Sequence, residues 1–214
     1  MTVQILPDFL THDQVQLLLK EFDRQPYTVE KTKQLDDKTI IYNRHKNNHY
    51  NHPASIAHRL VYPNLEAVIG QHTMDHGSFL ESHYPYTIHV DTHANFKNKD
   101  FFSHNENTLN LGILISLNED PNFNTVFFDH FTEIYDVTNP PVVASKNTTS
   151  KYSLDDVNLS HLTAEEQAYA KDLEITDIYQ WKIGHAVIWP RNQLHVSSNF
   201  YPTGKQKKAL VLFV

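Results

Sequence analysis

A His-x-Asp triplet and one distant histidine are the residues of this sequence best suited to metal chemistry. The triplet is His89-Val90-Asp91, and the distant residue is His195. Two imidazoles and one carboxylate on one face of a metal leave the opposite coordination positions open, and this ligand set suits non-haem Fe(II). The spacing alone is weak support, because the chain has fifteen histidines among 214 residues. The surrounding sequence must therefore show whether these three residues form a metal site.

Short strands are the elements that would position these ligands. A β-rich run ends at the His-x-Asp triplet, residues 109–118 form a buried strand by their pattern, and residues 125–128 form another. The final third of the chain is again β-rich, over residues 178–181, 184–189, 194–196 and 207–214. Several short strands separated by turn residues predict a sandwich or a barrel rather than a parallel sheet.

The region before these strands is predicted to be largely helical. Thr11 and Gln14 form a capping-box pattern that predicts a helix over residues 12–23. Residues 28–42 have the composition of one or two strands around an Asp36-Asp37 turn.

A second helical region is predicted over residues 54–69, broken or restarted at Pro63. His72 and His76 have helical spacing, and Gly77 follows at once, which predicts a helix end there. Much later in the chain, Thr163 and Glu166 form another capping box, which predicts a helix over residues 164–173.

Composition excludes several classes of partner. The formal net charge of −7 does not favour a nucleic acid or an anionic membrane. The absence of cysteine excludes disulfides and thiolate chemistry. No basic, apolar leader and no membrane-length apolar run is present, so we expect a soluble, cytoplasmic protein.

The order of these features resembles the Fe(II)/2-oxoglutarate-dependent oxygenase family. His-x-Asp is followed by a buried strand, by Gly-x-x-x-Ile-Trp-Pro at residues 184–190, by the distal histidine and by a lysine that opens the last apolar strand. The resemblance runs from about Tyr84 to the C-terminus, and the N-terminal helices fit the prolyl-hydroxylase-like and phage-type branches. It implies a mainly β fold with flanking helices, a double-stranded β-helix or jelly roll.

In this interpretation the chain is one oxygenase domain, residues 1–214. Residues 1–77 would be a helical N-terminal support, and residues 78–214 the jelly-roll core. Residues 137–175 would be an insertion in that core, because their first part is rich in Pro, Ser, Thr, Asn and Lys.

The resemblance implies that His89, Asp91 and His195 bind iron. His93 is a nearby competitor for His89, but His89 precedes the acid by the spacing that the family uses.

A 2-oxoglutarate co-substrate needs a cation for its far carboxylate, and Lys205, Lys207 and Lys208 are candidates. Lys207 shares its strand face with three apolar residues, but so does Lys208, and alternation therefore does not decide. Position relative to the terminal strand of relatives favours Lys207. Tyr84 and Tyr86 are candidate hydrogen-bond donors in the same pocket.

Two positions depart from the family pattern. His185 stands where many relatives have an acid, and Ala209 stands where many have a small polar residue that contacts the co-substrate. Arg191 could reach an acidic substrate, but a charge at the rim is the favoured interpretation.

A histidine-rich segment with His45, His49 and His52 is interpreted as a solvated loop rather than a second metal site, because no carboxylate accompanies it.

The resemblance implies hydroxylation of an unactivated C–H bond in a small molecule, amino acid or peptide. Succinate and CO2 would be released, and ascorbate would be a supporting reductant. Relatives that transfer halide lack the carboxylate, so Asp91 implies no halogenation. Two alternatives stay open. One is a cupin-like metal enzyme that does not use 2-oxoglutarate, and the other is a non-catalytic jelly-roll binding module.

Overall fold

The computed structural model describes residues 2–35, 38–92, 109–142 and 151–214. Within these ranges it contains ten β-strands and three α-helices, so the mainly β class with flanking helices is confirmed. The strands are β1 (Gln4–Leu6), β2 (Tyr27–Leu35), β3 (Lys38–Lys46), β4 (His76–Ser82), β5 (Leu111–Ser116), β6 (Asn124–Phe131), β7 (Ile175–Gln180), β8 (Ala186–Pro190), β9 (Gln193–Ser197) and β10 (Lys207–Phe213). The helices are α1 (His12–Arg24), α2 (Ile56–Ile69) and α3 (Ala164–Ala170).

Two antiparallel sheets carry the strands. The large sheet has the order β1-β8-β5-β10-β4-β3-β2, and the small sheet has the order β7-β6-β9. The two sheets face each other, because one buried cluster joins Leu114, Val187 and Ala209 of the large sheet to Phe127 and Tyr179 of the small sheet. The space between the sheets is where the candidate site lies.

Helices α1 and α2 cover the other face of the large sheet. The predicted capping box at the start of α1 is present, since the Thr11 hydroxyl accepts from the backbone of Gln14. The apolar stripes of the two helices pack on the sheet through Val15, Leu18 and Phe22 of α1 and through Ala57, Val61 and Leu65 of α2. Each valine, leucine or phenylalanine among them contributes about 1.5–3 kcal/mol on full burial. The central strands are consequently buried on both faces.

Helix α2 runs through Pro63 without a break. The predicted interruption at this residue was wrong. Proline removes one helical hydrogen bond, but Pro63 lies on the exposed face, and Ala57, Val61 and Leu65 bury the opposite face on the sheet. The packing of that face outweighs the local preference of the proline.

The first 77 residues supply strands as well as helices. Strand β1 pairs with β8, and β2 and β3 extend the large sheet beyond β4. The description of this region as a helical support was therefore incomplete. Helix α2 is capped by Gly70 in a positive-φ conformation (φ 78°), and His76 already lies in β4. The helix end predicted at Gly77 was accordingly wrong. The Asp36-Asp37 turn lies outside the described residues.

The described parts of the predicted insertion pack on the outer face of the small sheet. Helix α3 begins at the predicted Thr163–Glu166 capping box. Leu162, Tyr169 and Leu173 join one buried cluster with side chains of β6 and β9. Residues 143–150 lie outside the described ranges. Among the described residues, no helix is both long enough and apolar enough to cross a membrane.

Candidate metal centre

His89 and His195 lie opposite each other in an isolated β-bridge. The backbone N–H of His89 donates to the carbonyl of His195 at 3.0 Å, and the reciprocal hydrogen bond measures 3.1 Å. The two ring centroids are 4.2 Å apart. Strand β9 carries His195, whereas His89 lies in the segment after β4 and touches the sheet through this bridge. The backbone thus holds the two imidazoles side by side.

Asp91 completes the group of three. Its Oδ2 lies 3.2 Å from Nε2 of His195, and its Oδ1 lies 4.0 Å from Nε2 of His89. One ligand atom from each residue lies within 4.8 Å of the others. The structure therefore brings the three predicted ligands together. The competitor His93 lies outside the described residues.

The backbone also selects the tautomer of both imidazoles. Nδ1 of His89 is 2.6 Å from the carbonyl of Thr87, and Nδ1 of His195 is 2.9 Å from the carbonyl of Gln193. A carbonyl can only accept, so each Nδ1 carries a proton and donates to it, which leaves Nε2 as the nitrogen that would bind a metal. Burial, together with the charge of His195, lowers the pKa of His89 to about 4, which keeps it neutral at pH 7.

The carboxyl group of Asp91 is held ionised. Burial by itself raises its pKa, but the charge and hydrogen bond of His195, with smaller effects of His89 and Arg191, lower the pKa below its ordinary value. One carboxylate and two imidazoles are a ligand set that fits Fe(II) and leaves residual positive charge for an anionic ligand.

Arg191 is buried and holds the backbone of Asp91. It is 0% exposed, and its Nη1 donates to Oδ2 of Asp75 at 2.8 Å. Its Nε donates to the carbonyl of Asp91 at 2.8 Å, and the N–H of Asp91 donates to the carbonyl of Arg191 at 2.8 Å. The interpretation of Arg191 as a rim charge was wrong, because Asp75 supplies a buried counter-charge. Arg191 thereby fixes the segment that carries the carboxylate ligand.

The three ligand groups line a cavity of about 640 Å³ between the sheets. We call one part of its lining, Thr125, Trp181, Ser197 and Lys207, the inner pocket. We call another part, Lys31, His45, His76 and Ser78 from strands β2, β3 and β4, the outer pocket.

Lys207 is an amine enclosed by aromatic rings. It is 1% exposed, and its Nζ donates to the carbonyl of Asn124 at 3.0 Å and to the Ser197 hydroxyl at 3.4 Å. The ammonium lies 4.7 Å from the ring centre of Trp181 and 4.9 Å from that of Phe200. No carboxylate among the described residues pairs with it. Burial lowers the pKa of Lys207 to about 7.

The other two candidate lysines lie elsewhere. Lys205 is exposed and pairs with Asp120. Lys208 lies on the helix side of the large sheet, 4.0 Å from Asp23 of α1. Of the three, Lys207 is the one that lines the cavity.

The two candidate tyrosines differ in position. Tyr86 lines the cavity, its ring centroid is 5.3 Å from that of His89, and its hydroxyl accepts from Nδ2 of Asn43. Tyr84 is absent from the lining and packs against the ring of Tyr201. Its predicted place in the pocket was wrong.

The structure shows the contacts of the two residues that depart from the family pattern, His185 and Ala209. His185 lies 3.9 Å from Asp8 and does not line the cavity. Ala209 is buried, and the hydroxyl that it lacks is supplied beside Lys207 by Ser197. Sequence reasoning missed Ser197, although a signal existed. It is two residues after His195 and thus on the same face of β9.

The histidine-rich segment divides between strand and surface. His49 and His52 are exposed, as expected of a solvated loop. His45 lies in β3 and lines the cavity, so the loop interpretation was wrong for this residue.

No family model matches the sequence, and no curated protein matches it. Among solved structures, the fold is shared with non-haem 2-oxoglutarate-dependent enzymes. The epimerase SnoN from nogalamycin biosynthesis has a TM-score of 0.55 at 12% identity, over 98% of this chain and 76% of SnoN. The carbocyclase SnoK from the same biosynthesis has a TM-score of 0.56 at 9% identity, over 98% of this chain and 78% of SnoK.

HygX from Streptomyces hygroscopicus, with nickel, 2-oxoglutarate and hygromycin B bound, is a third neighbour. Its TM-score is 0.54 at 11% identity, over 98% of this chain and 81% of HygX. Identities this low show the fold, and the predicted jelly roll is confirmed. The prolyl-hydroxylase-like and phage-type branches are not tested by these likenesses and stay a prediction.

Proposed function

We propose that this chain is an Fe(II)- and 2-oxoglutarate-dependent oxygenase that hydroxylates an unactivated C–H bond and releases succinate and CO2. One observation carries the proposal. The cavity of about 640 Å³ contains both the His89, Asp91 and His195 ligand set and the enclosed amine of Lys207. The bound groups of two neighbours support these cofactors, since SnoN is in complex with Fe3+ and alpha ketoglutarate and HygX holds 2-oxoglutarate.

Each residue then has a stated role. His89 and His195 would hold iron through Nε2, and Asp91 would hold it through its carboxylate. When bound, iron and 2-oxoglutarate together with dioxygen supply the oxidising power that breaks the C–H bond. The ammonium of Lys207 would pair with the far carboxylate of the co-substrate, and the Ser197 hydroxyl would donate a second hydrogen bond.

The spacing of the inner pocket agrees with a short dicarboxylate. His195 and Ser197 are two residues apart on β9, and a strand advances about 3.4 Å per residue, which separates them by about 7 Å. A five-carbon keto acid can bridge the ligand set and the amine over such a span. Apolar walls from Trp181, Trp189 and Leu114 line the same cavity. They exclude water and thereby strengthen the ion pair.

A small molecule is the proposed substrate class. HygX binds hygromycin B and SnoN binds nogalamycin RO, which supports a non-peptide substrate. The volume of the cavity lies within the range of small-molecule sites. An amino acid or a short peptide is the remaining alternative.

The test begins with binding and continues with turnover. Calorimetry with nickel and then 2-oxoglutarate should show two successive binding events. Under ferrous iron and ascorbate, a panel of candidate small molecules should then stimulate succinate formation. Metal binding without any succinate formation from 2-oxoglutarate would instead favour the cupin-like enzyme, and no metal binding would favour the non-catalytic module.

Product mass tests the reaction type. Hydroxylation adds one oxygen atom, ring closure or desaturation removes two hydrogen atoms, and epimerisation leaves the mass unchanged. Because Asp91 is present, we expect no chlorinated product in chloride-rich buffer. A chlorinated product from the unmutated protein would contradict the assignment of Asp91 as a ligand.

A further inference from the structure

The outer pocket contains a histidine whose Nε2 is available to hydrogen-bond a ligand. His45 is partly buried, and its Nδ1 lies 2.9 Å from the hydroxyl of Ser78, which is itself buried. No described residue forms a hydrogen bond with Nε2 of His45. When the serine hydroxyl donates to Nδ1, the proton of the neutral ring is on Nε2, where it is available to a ligand.

Lys31 of strand β2 adds a positive charge over the same space. It lines the cavity, and no carboxylate among the described residues forms an ion pair with it. Lys31 pairs with Asn43 of β3, which is two residues before His45, so the side chains of Lys31 and His45 lie on the same face of the sheet. Both residues line the outer pocket.

The carboxylates of the lining do not offset this charge. Among the described residues, the cavity is lined by two acids, Asp75 and Asp91. Asp75 is neutralised by Arg191 at 2.8 Å, with both side chains 0% exposed. Asp91 belongs to the metal centre. The outer pocket consequently has a positive charge and an imidazole donor without a negative partner.

We propose that the outer pocket binds an anionic group of the substrate, a carboxylate or a phosphate monoester, between Nζ of Lys31 and Nε2 of His45. Ser78 orients the imidazole, and the ammonium supplies the counter-charge. The identification of this anion as part of the substrate rests on the proposed function. The binding of the anion itself does not, because it can be measured without turnover.

The experiment is a calorimetric titration with two probes, inorganic phosphate and propionate. The protein is first saturated with nickel and 2-oxoglutarate. We expect at least one probe to bind, and Lys31→Gln to weaken it by about 5- to 10-fold, a loss typical of a charged hydrogen bond in a partly exposed place. Tighter binding of phosphate assigns a phosphate ester, and tighter binding of propionate assigns a carboxylate.

Lys33→Gln is the matched control. Lys33 lies on the same strand two residues later, its ammonium is over the ring of Tyr84 at 4.5 Å, and it does not line the cavity. The substitution removes the same charge and should leave probe affinity unchanged. An equal loss in both variants, an unchanged affinity in Lys31→Gln, or no binding of either probe to the unmutated protein would overturn the proposal.

The same titration separates this inference from the proposed function. If nickel and 2-oxoglutarate do not bind, the proposed function fails, and repeating the titration on metal-free protein still tests the outer pocket. A parallel loss of 2-oxoglutarate affinity in Lys31→Gln would assign the lysine to the co-substrate and would overturn its role toward the substrate.

Discussion

The inner and outer pockets each contain a lysine, in opposite surroundings. Lys207 is 1% exposed and is held by a main-chain carbonyl, a hydroxyl and two rings, whereas Lys31 is exposed on the edge strand of the large sheet. A buried amine loses hydration and is stabilised only where an anion or hydrogen bonds compensate. The enclosed inner pocket agrees with the proposed co-substrate, an anion of constant size. The more open outer pocket agrees with the proposed anionic group of the substrate.

The histidines of the two regions show the same contrast. His89 and His195 are oriented by main-chain carbonyls, which fix the tautomer. His45 is oriented by the hydroxyl of Ser78, which can donate or accept and so permits either tautomer. Backbone contacts thus fix the orientation of the proposed metal ligands, whereas a side-chain contact orients His45, the proposed substrate-binding residue.

The largest effect is expected at the metal centre. His195→Ala removes a ligand that the β-bridge holds in place, so nickel affinity should fall by more than the roughly 10- to 100-fold that an outer-shell partner costs. Calorimetry measures the loss, and coupled succinate formation should disappear. His130→Ala, a partly buried histidine on β6 that does not line the cavity, is the control. Equal metal affinity in the two variants would disprove the proposed ligand set.

A smaller effect is expected in the inner pocket. Lys207→Met leaves the far carboxylate of 2-oxoglutarate without its buried partner, at a cost of about 2–5 kcal/mol in binding. Methionine fits the surrounding rings and removes a buried amine, so the thermal midpoint should not fall. Calorimetry and thermal unfolding together check both statements.

Lys208→Met is the matched control, because Lys208 is the next residue on β10 and faces α1. Its 2-oxoglutarate affinity should match that of the unmutated protein. A larger loss in this variant than in Lys207→Met would reverse the assignment of the two lysines.

Lys207 and Lys208 also show what could not be predicted from the sequence. Alternation could not separate Lys207 from Lys208, because β10 is buried on both faces, with Leu210 and Leu212 toward the helices and Ala209 toward the small sheet. Alternation of apolar and polar residues distinguishes a core face from a solvent face, and a strand that is buried on both faces does not show it. Only the positions of both covering layers identify the face of each lysine.

The local capping patterns predicted the starts of two helices correctly. The capping boxes at Thr11 and Thr163 mark the starts of α1 and α3 as expected. The interpretation of Arg191 was wrong because its partner Asp75 is 116 residues away in the sequence. The residues next to Arg191 in the sequence do not indicate that ion pair. His45 was misplaced for a similar reason, since its burial depends on the pairing of β3 with β4.

A further prediction concerns the contact between Arg191 and the ligand segment. Arg191→Lys keeps a positive charge beside Asp75, but the compact ammonium does not span both acceptors as the planar guanidinium does, so the carbonyl of Asp91 loses its partner. Nickel affinity should fall by about 10-fold, at the lower limit for an outer-shell partner. The ligand-field spectrum of cobalt-loaded protein should also change, which a general loss of stability would not produce.

Arg44→Lys is the control for this change. Arg44 pairs with Glu30 at 2.6 Å, away from the metal centre, so its replacement should alter neither the spectrum nor the affinity. An unchanged cobalt spectrum in Arg191→Lys would contradict a positioning role.

The last effect is the pH dependence that Lys207 gives to the inner pocket. The pKa of Lys207 is lowered by burial to about 7 in the folded protein, against about 10.5 when unfolded. Between these values the unfolded chain holds one more proton, so the free energy of unfolding should rise with pH, by up to about 1.4 kcal/mol per unit. In the same range a dicarboxylate must restore the ammonium in order to bind, so 2-oxoglutarate affinity should fall by up to tenfold per unit above pH 7. Calorimetry at pH 8 in two buffers of different ionisation enthalpy should show uptake of close to one proton on 2-oxoglutarate binding. No proton uptake with 2-oxoglutarate would mean that Lys207 is already charged in the free protein, and this would contradict the prediction.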